Sequence, residues 1–267
     1  MLYNLFIENP SKISLNYSIP GHLKGMSNIE EMRKVDLNNL DCSLKKEGSS
    51  LEEKIAEKKI WRMKFPGMIL DVRKIYFSSN ELYLDVTPIH PHRADLTFKQ
   101  DRTLNKTTFP LTINSVPIIK DNEIVLGVRG GNVESGKVGI IPGGHIDYEI
   151  PQITDVNYSL LKEFEEEIGM KFNSEKHKLS LIGAMGNNNL LGINILNSVK
   201  MENTFEEILE SWKNARDRFE HGSIFRVNFK DVLELSKTGK LQKEDKKYET
   251  TPYFQDCLKH FVNSYQK

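Results

Sequence analysis

Hydrophobic and polar residues alternate in several short stretches of the chain, which are separated by glycine, proline, asparagine or aspartate. This pattern is typical of β-strands. Before residue 105 it predicts a hairpin of two strands, over 68–77 and 81–87. After residue 105 it predicts strands over 112–119, 123–129, 138–141, 179–185, 190–196 and 224–229.

Helices are predicted where hydrophobic residues recur every three or four positions. Such segments cover residues 155–169, 205–212 and 253–265, and another runs from the N-cap residue Ser50 towards residue 64. The pattern predicts loop up to about residue 40 and a solvated linker over 236–247. The mixture of elements indicates an α/β protein, with an N-terminal extension or small α+β domain over 1–105 and the main domain over 106–267.

Composition excludes several classes of protein. The 267 residues suffice for a full hydrophobic core, and the 37 basic and 37 acidic residues balance, which argues against a nucleic-acid partner. Cys42 and Cys257 are too few for a disulfide framework. No stretch approaches the roughly 20 apolar residues of a membrane-spanning helix, and the N-terminus lacks the pattern of a signal peptide. We therefore expect a cytoplasmic protein without a membrane partner.

Three glutamates on the predicted helix 155–169 are the main candidate for chemistry. Glu163, Glu166 and Glu167 stand at i, i+3 and i+4, so their carboxylates share one face and repel each other. A solvated acidic face and a bound Mg²⁺ ion both account for this spacing, and for three glutamates alone the solvated face is the commoner explanation. The upstream turn at Gly143 and Gly144 favours the metal, because glycine lets the backbone approach a ligand and offer a carbonyl oxygen.

The segment 143–170 resembles the signature box of the Nudix hydrolases. That box has a glycine, a glutamate six residues later, and then Arg-Glu-hydrophobic-any-Glu-Glu-any-Gly-hydrophobic. Gly143 and Glu149 match the first part, and the second part is matched in register by Glu163, Phe164, Glu166, Glu167, Gly169 and Met170. Lys162 takes the place of the arginine, and the interval between Glu149 and Lys162 is longer than in the family. Lysine keeps the charge but lacks the planar fork of arginine.

This resemblance implies a Nudix-type α/β/α sandwich around a mixed sheet. It also implies Mg²⁺, or Mn²⁺ in its place, held by Glu163, Glu166, Glu167 and the Gly143 carbonyl, and hydrolysis of a diphosphate linkage. Glu220, ahead of Asp217, is the candidate outside the box for the catalytic proton acceptor or a further metal ligand. His221 is expected at the surface or behind the site. We assign contacts with the substrate phosphates to Arg129, Lys162 and Gly144, while Lys162 also suits a role in holding a box glutamate.

The identity of the substrate stays open between several nucleoside diphosphate conjugates. The arrangement around Glu220 is faintly similar to the branch of the family that cleaves UDP-sugars, and ADP-ribose is a comparable candidate. Tyr148 or Phe98 offers an aromatic ring for stacking on any base, and for both residues packing in the interior is an equal alternative. A hydrolase of capped RNA is the third candidate, although no basic stripe with interleaved aromatics is present. The alternative of another class is a Nudix-fold module that senses a nucleotide without turnover. A homodimer is compatible with every one of these.

Overall fold

The computed structural model describes residues 5–46, 48–53, 67–78, 80–92, 109–130, 134–149, 156–186, 192–243 and 245–266. Its centre is a mixed sheet in which β1, β10, β11, β5, β6 and β12 lie side by side, with β7 beside β6 and β8 beside β5. The pair β11/β5 is parallel, while β10/β11 and β6/β12 are antiparallel. Its strands are β1 Leu5–Glu8, β5 Leu111–Ile118, β6 Ile124–Arg129, β7 Val138–Ile140, β8 Gly143–His145, β10 His177–Gly186, β11 Ile193–Met201 and β12 His221–Val227.

Helices cover both faces of this sheet. On one face, the helices Phe229–Thr238 and Pro252–Tyr265 pack against Val116, Leu126 and Leu196. On the other face, Val125 and Val199 contact the helix Phe205–Lys213 and the segment around Phe164 that follows the helix Val156–Glu163. In chain order these helices are called α2 (Val156–Glu163), α3 (Phe205–Lys213), α4 (Phe229–Thr238) and α5 (Pro252–Tyr265). The predicted α/β/α sandwich around a mixed sheet is confirmed.

A smaller sheet lies on the same face as α2. Its strands are ordered β2, β4, β3 and β9, and α1 (Ile29–Lys46) precedes β3. Its apolar side forms one core with α2 and the large sheet, in which Leu70 and Leu84 join Leu160, Ile113 and Ile195. The strands are β2 Lys12–Tyr17, β3 Met68–Ser78, β4 Glu81–Ile89 and β9 Asp147–Tyr148. The N-terminal α+β extension is thus described, while the domain boundary near residue 105 stays a prediction.

The prediction of loop for the first forty residues was wrong, because β1, β2 and most of α1 lie there. The buried line of α1 runs through residues 32, 36, 40 and 44, and its second member is a carboxylate, Asp36. This side chain is 1% exposed and is satisfied by the ring of His22 at 2.8 Å and the backbone N–H of His90 at 2.7 Å. A charged residue in the buried line hides the helix from a search for apolar periodicity.

The prediction of a linker over 236–247 was also wrong, as was the strand end at residue 229. The strand β12 ends at Val227, and α4 begins at Phe229 behind a capping box formed by Asn228 and Asp231. The hairpin of β13 (Lys240–Lys243) and β14 (Lys246–Glu249) follows α4. Only Leu241 of these two strands is deeply buried, so the apolar pattern is too short to indicate strands.

Other predicted elements agree with the structure or fall outside its described part. The hairpin of β3 and β4 has the predicted antiparallel pairing, and Thr204 begins α3 with a capping box. Ser50 caps a helical start at 51–53, and the predicted continuation to residue 64 lies outside the described residues, as does the N-cap residue Asp155. Among the described helices, none is long and apolar enough to cross a membrane.

We predict that Gly169→Ala destabilises the protein more than Gly25→Ala does. Both glycines have positive φ, 77° and 81°, so alanine brings roughly 1–2 kcal/mol of backbone strain at either position. At Gly169 the new Cβ would also lie 2.5 Å from the carbonyl oxygen of Ser211, whereas Gly25 faces open space. We expect a loss of about 2–5 kcal/mol at Gly169, measured as the free energy of unfolding in urea. Equal losses in the two variants would contradict the tight contact between the end of this segment and α3.

Candidate active site

The glutamate-rich segment is not one regular helix. The α-helix α2 ends at Glu163, and a π-helical turn covers Phe164–Ile168 before Gly169 ends the segment with φ of 77°. A π-turn places one more residue in each turn, and such turns are rare outside functional sites. The sequence pattern does not separate the two geometries, because Phe164 and Ile168, four residues apart, are both fully buried.

The two glycines lie directly against two of the three glutamates. The prediction of a turn at these glycines was wrong, because both belong to the strand β8. The backbone N–H of Gly143 donates a hydrogen bond to Oε2 of Glu167 at 3.0 Å. A Cβ on Gly144 would overlap the carboxylate of Glu163, and a Cβ on Gly143 would overlap Oδ1 of Asn114 on the neighbouring strand β5. Only glycine therefore allows this strand and the carboxylates to approach this closely.

Burial and mutual repulsion raise the pKa values of these carboxyl groups. Burial is the main cause for Glu163, whose pKa rises to about 8, and the charges of Glu166, Asp147 and Glu220 add to it. Glu167 is 2% exposed, and burial followed by the charges of Glu163 and Glu220 raises its pKa well above the ordinary value, although the Gly143 N–H opposes this shift. Without a cation, the site therefore favours the neutral, protonated form of these carboxyl groups over the charged form.

Arginines accompany the two carboxylates nearer to solvent. Nη1 of Arg216 lies 2.9 Å from Oε1 of Glu166, and Nη1 of Arg129 lies 3.8 Å from Oε2 of Glu220. Burial raises the pKa of Glu166 and that of Glu220, while Arg216 and Arg129 respectively oppose the shift. Nε of Arg129 is buried and has no hydrogen-bond partner among the described residues. The backbone N–H of Asp217 donates to the carbonyl of Glu166 at 2.8 Å.

Lys162 binds the loop that precedes the helix. Its ammonium group lies 2.8 Å from Oδ2 of Asp147 and 3.2 Å from Oε1 of Glu149, the glutamate of the first part of the box. Burial by itself lowers the pKa of Lys162, but the hydrogen bond and charge of Asp147, and then Glu149, raise it above its ordinary value. Lys162 is thus paired with two carboxylates of the protein itself.

Two other candidate residues, Tyr148 and His221, are buried in the structure. Tyr148 is buried in the core of the smaller sheet, 5% exposed, so its ring is not available to stack on a base. Phe98 lies outside the described residues. His221 is 2% exposed rather than at the surface, and burial lowers its pKa to about 3, so the ring is neutral. Its ring fits against Gly127, where any Cβ would collide with it.

Sequence reasoning missed two residues of the site, Asp147 and Arg216. Asp147 lies two positions before Glu149 and has a signal, since it belongs to the same loop of the box. Arg216 has no such signal in the sequence, because it follows α3 in a segment without periodicity and reaches the box only through the packing of α3.

The residues of the site suit a hard divalent cation, although each box glutamate currently contacts a different partner. In the described parts of the chain, no three Asp, Glu, His or Cys side chains surround one point as metal ligands do. Glu163 lies against Gly144, Glu166 against Arg216 and Glu167 against the Gly143 N–H. Carboxylate oxygens at buried positions, with pKa values raised by their own repulsion, nevertheless form the donor set that Mg²⁺ and Mn²⁺ prefer.

Comparisons with known proteins return Nudix structures. The chain is similar to the NUDIX domain of Shewanella oneidensis NrtR, solved in complex with ADP ribose, at 13% identity over 64% of this chain and 96% of that domain, with a TM-score of 0.41. It is similar to MutT/nudix family proteins from Listeria innocua, at 18% identity over 59% and 94% of the two chains, and from Enterococcus faecalis, at 16% identity over 66% and 70%, both with a TM-score of 0.39. No protein-family model and no curated protein matches the chain. Similarity at this level concerns the overall fold, and the functional assignment depends on the side chains of the site.

We predict that Glu163→Gln stabilises the chelator-treated protein at alkaline pH. Because folding raises the pKa of Glu163 from 4.5 to about 8, the folded protein keeps a proton that the unfolded chain releases in this window, and stability falls as pH rises through it. Glutamine removes this loss. We expect a gain of roughly 1–3 kcal/mol at about pH 8.5, which is the pKa shift converted at about 1.36 kcal/mol per unit and discounted for partial exposure. At about pH 5 we expect little change.

The measurement is the unfolding temperature of both proteins across this pH range, with Glu165→Gln as the control. Glu165 belongs to the same turn but is exposed, so its variant should follow the wild type at every pH. A Glu163→Gln variant that is no more stable than the control at alkaline pH would show that the carboxylates do not repel each other.

Proposed function

We propose that this protein is a Nudix-type hydrolase that cleaves the diphosphate linkage of a nucleoside diphosphate conjugate with the help of Mg²⁺. The observation that carries the proposal is the position of Glu163 and Glu167, which lie against Gly144 and Gly143 with raised pKa values, the first half-buried and the second fully buried. An acidic helix face that served only solubility would point its carboxylates into water. Buried carboxylates that repel each other are instead expected where a cation neutralises them.

In this proposal, Glu163, Glu166 and Glu167 hold the metal together with the carbonyl of Gly143. Mg²⁺ bound there would neutralise charge on the diphosphate and lower the pKa of a water molecule. Glu167 keeps its carboxylate orientation through the Gly143 N–H, and the absence of a Cβ at Gly144 leaves the space that the carboxylate of Glu163 occupies.

Glu220 is the proposed proton acceptor. It stands near Glu163 and Glu167, since its charge contributes to the pKa of both, and it is partly exposed, so water reaches it. Its raised pKa suits a group that takes a proton near neutral pH. Arg129 lies 3.8 Å from Glu220, and within the described ranges its Nε has no hydrogen-bond partner, so Arg129 can orient this carboxylate and donate to a substrate phosphate.

Lys162 is proposed to position the loop rather than to contact the substrate. Its ammonium already binds Asp147 and Glu149, which fixes the strand β9 relative to the helix α2. This is a task for a charge, and lysine can perform it without the fork of arginine. UDP-sugars and ADP-ribose are the substrates to test first, because both contain a nucleoside diphosphate joined to a sugar.

We predict that Glu167→Gln lowers Mg²⁺-dependent hydrolysis by at least about 100-fold while the protein stays folded. Glutamine keeps an oxygen that can accept the hydrogen bond from Gly143, but it loses the charge that holds the metal. The measurement is phosphate release, coupled to a phosphatase, from a panel of nucleoside diphosphate conjugates with and without Mg²⁺. Glu165→Gln is the control, because this exposed side chain belongs to the same helical turn as Glu167. Full activity of Glu167→Gln would remove the box from the reaction.

Metal binding is predicted to release protons near pH 7. Glu163, whose pKa is raised to about 8, holds a proton at this pH, and a metal ion must displace it, so the affinity for Mg²⁺ should rise with pH between about 6 and 8. Isothermal titration in two buffers with different ionisation enthalpies measures the number released, which we expect to be on the order of one. Binding with no proton release would contradict the raised pKa values of the ligands.

The metal titration and the phosphate-release assay together separate the enzyme from a nucleotide-sensing module without turnover. The sensor alternative is favoured by Lys162 at the arginine position and by the longer interval before it. A sensor would bind a conjugate and release no phosphate from any member of the panel, whereas the proposed enzyme requires both metal binding and phosphate release.

A further inference from the structure

The ion pair between Arg216 and Glu166 brings a residue from outside the box into the carboxylate site. Nη1 of Arg216 lies 2.9 Å from Oε1 of Glu166, while the nearest oxygen of its other partner, Asp217, is 3.8 Å from Nε. In the described part of the chain, Arg216 is therefore the only cation that directly contacts one of the three helix glutamates, Glu163, Glu166 and Glu167. The guanidinium binds Oε1 of Glu166, a carboxylate oxygen that a metal ion at this site would need.

The two members of this pair differ in their freedom to move. The side chain of Glu166 is 15% exposed, while that of Arg216 is 67% exposed. A guanidinium so exposed is screened by water, and its attraction for a carboxylate is weak. The backbone beside it is fixed, because the Asp217 N–H donates to the carbonyl of Glu166 and the side chain of Arg218 donates to the carbonyl of Lys213. Arg216 can thus leave Glu166 by rotating its side chain alone.

We propose that Arg216 exchanges partners during binding, pairing with Glu166 before the metal arrives and with a phosphate of the substrate afterwards. The inference rests on the proposed function, since it requires that Glu166 be a metal ligand. When a divalent cation takes the carboxylate, the guanidinium loses its anion beside the position where the diphosphate binds. Arginine then offers two parallel N–H donors to the phosphate, a geometry that neither water nor lysine provides.

The exchange gives Arg216 opposite effects on two binding steps. Before the substrate binds, Arg216 competes with the metal for Glu166, so its removal should strengthen metal binding. Once metal and substrate are both present, Arg216 donates to the phosphate, so its removal should weaken substrate binding. An ion pair with a merely structural role would also compete with the metal, but its removal would not weaken substrate binding.

The test compares Arg216→Gln with Arg218→Gln in the full-length chain by isothermal titration. Arg218 is two residues away and binds the backbone of Lys213, so its variant loses the same charge without touching Glu166. Each protein is titrated first with Mn²⁺ alone and then, saturated with Mn²⁺, with methylenediphosphonate as a diphosphate that cannot be hydrolysed. We expect Arg216→Gln to bind Mn²⁺ about two- to fivefold more tightly and methylenediphosphonate about tenfold more weakly than the wild type.

The outcomes separate this inference from the proposed function. Unchanged constants in Arg218→Gln, with both changes in Arg216→Gln and intermediate values in Arg216→Lys, support the exchange. Equal effects in the two glutamine variants would mean that only the net charge matters, and this would overturn the exchange. Wild-type constants in Arg216→Gln would also overturn it. Absence of Mn²⁺ binding to the wild type would overturn the proposed function together with the exchange, whereas Mn²⁺ binding that ignores Arg216 would overturn the exchange alone.

Discussion

The structure depends on the close approach of the two glycines of β8 to carboxylates that repel each other. The N–H of Gly143 binds Glu167, and the missing Cβ of Gly144 admits Glu163, so a fully buried and a half-buried acid are held together although their charges oppose this. Burial raises their pKa values, and the neighbouring carboxylates raise them further. Folding can sustain this arrangement because the apolar side of the same segment, with Phe164 and Ile168, is fully buried. The apolar side of the segment therefore stabilises the fold, while its carboxylates repel each other on the other side, where a bound cation can neutralise them.

The surrounding elements each hold one part of this site. The strand β8 brings the glycines beside β5, and β9 carries Asp147 into the smaller sheet, where Lys162 binds it from α2. The N-terminal extension thus shares both its sheet and its core with the box rather than lying apart from it. The helix α3 packs on the end of the glutamate segment at Gly169, and the residues after α3 bring Arg216 and Asp217 to Glu166. Residues that are distant in sequence therefore determine how the carboxylates are oriented and paired.

Much of the fold could be predicted from periodicity, and the failures have specific physical causes. The strands around residues 112–129 and the terminal helix were predicted because their apolar residues recur without interruption. The helix α1 was missed since Asp36 stands in its buried line, and β13 was missed because it buries a single leucine. The three glutamates and the two glycines were found from their spacing, and Glu163 and Glu167 do lie against the glycines, whereas Glu166 pairs with Arg216. The π-turn, the burial of Tyr148 and His221, and the pairing of Arg216 were not predictable, because they arise from packing between elements that the sequence does not bring together.

The most direct test of the central claim is the position of a bound metal. Anomalous diffraction from crystals grown with Mn²⁺ would locate the ion among the side chains. The account predicts a peak beside Gly143 within coordination distance of oxygen atoms from at least two of Glu163, Glu166 and Glu167. A manganese ion bound only elsewhere, or no peak beside Gly143 at millimolar Mn²⁺, would contradict it.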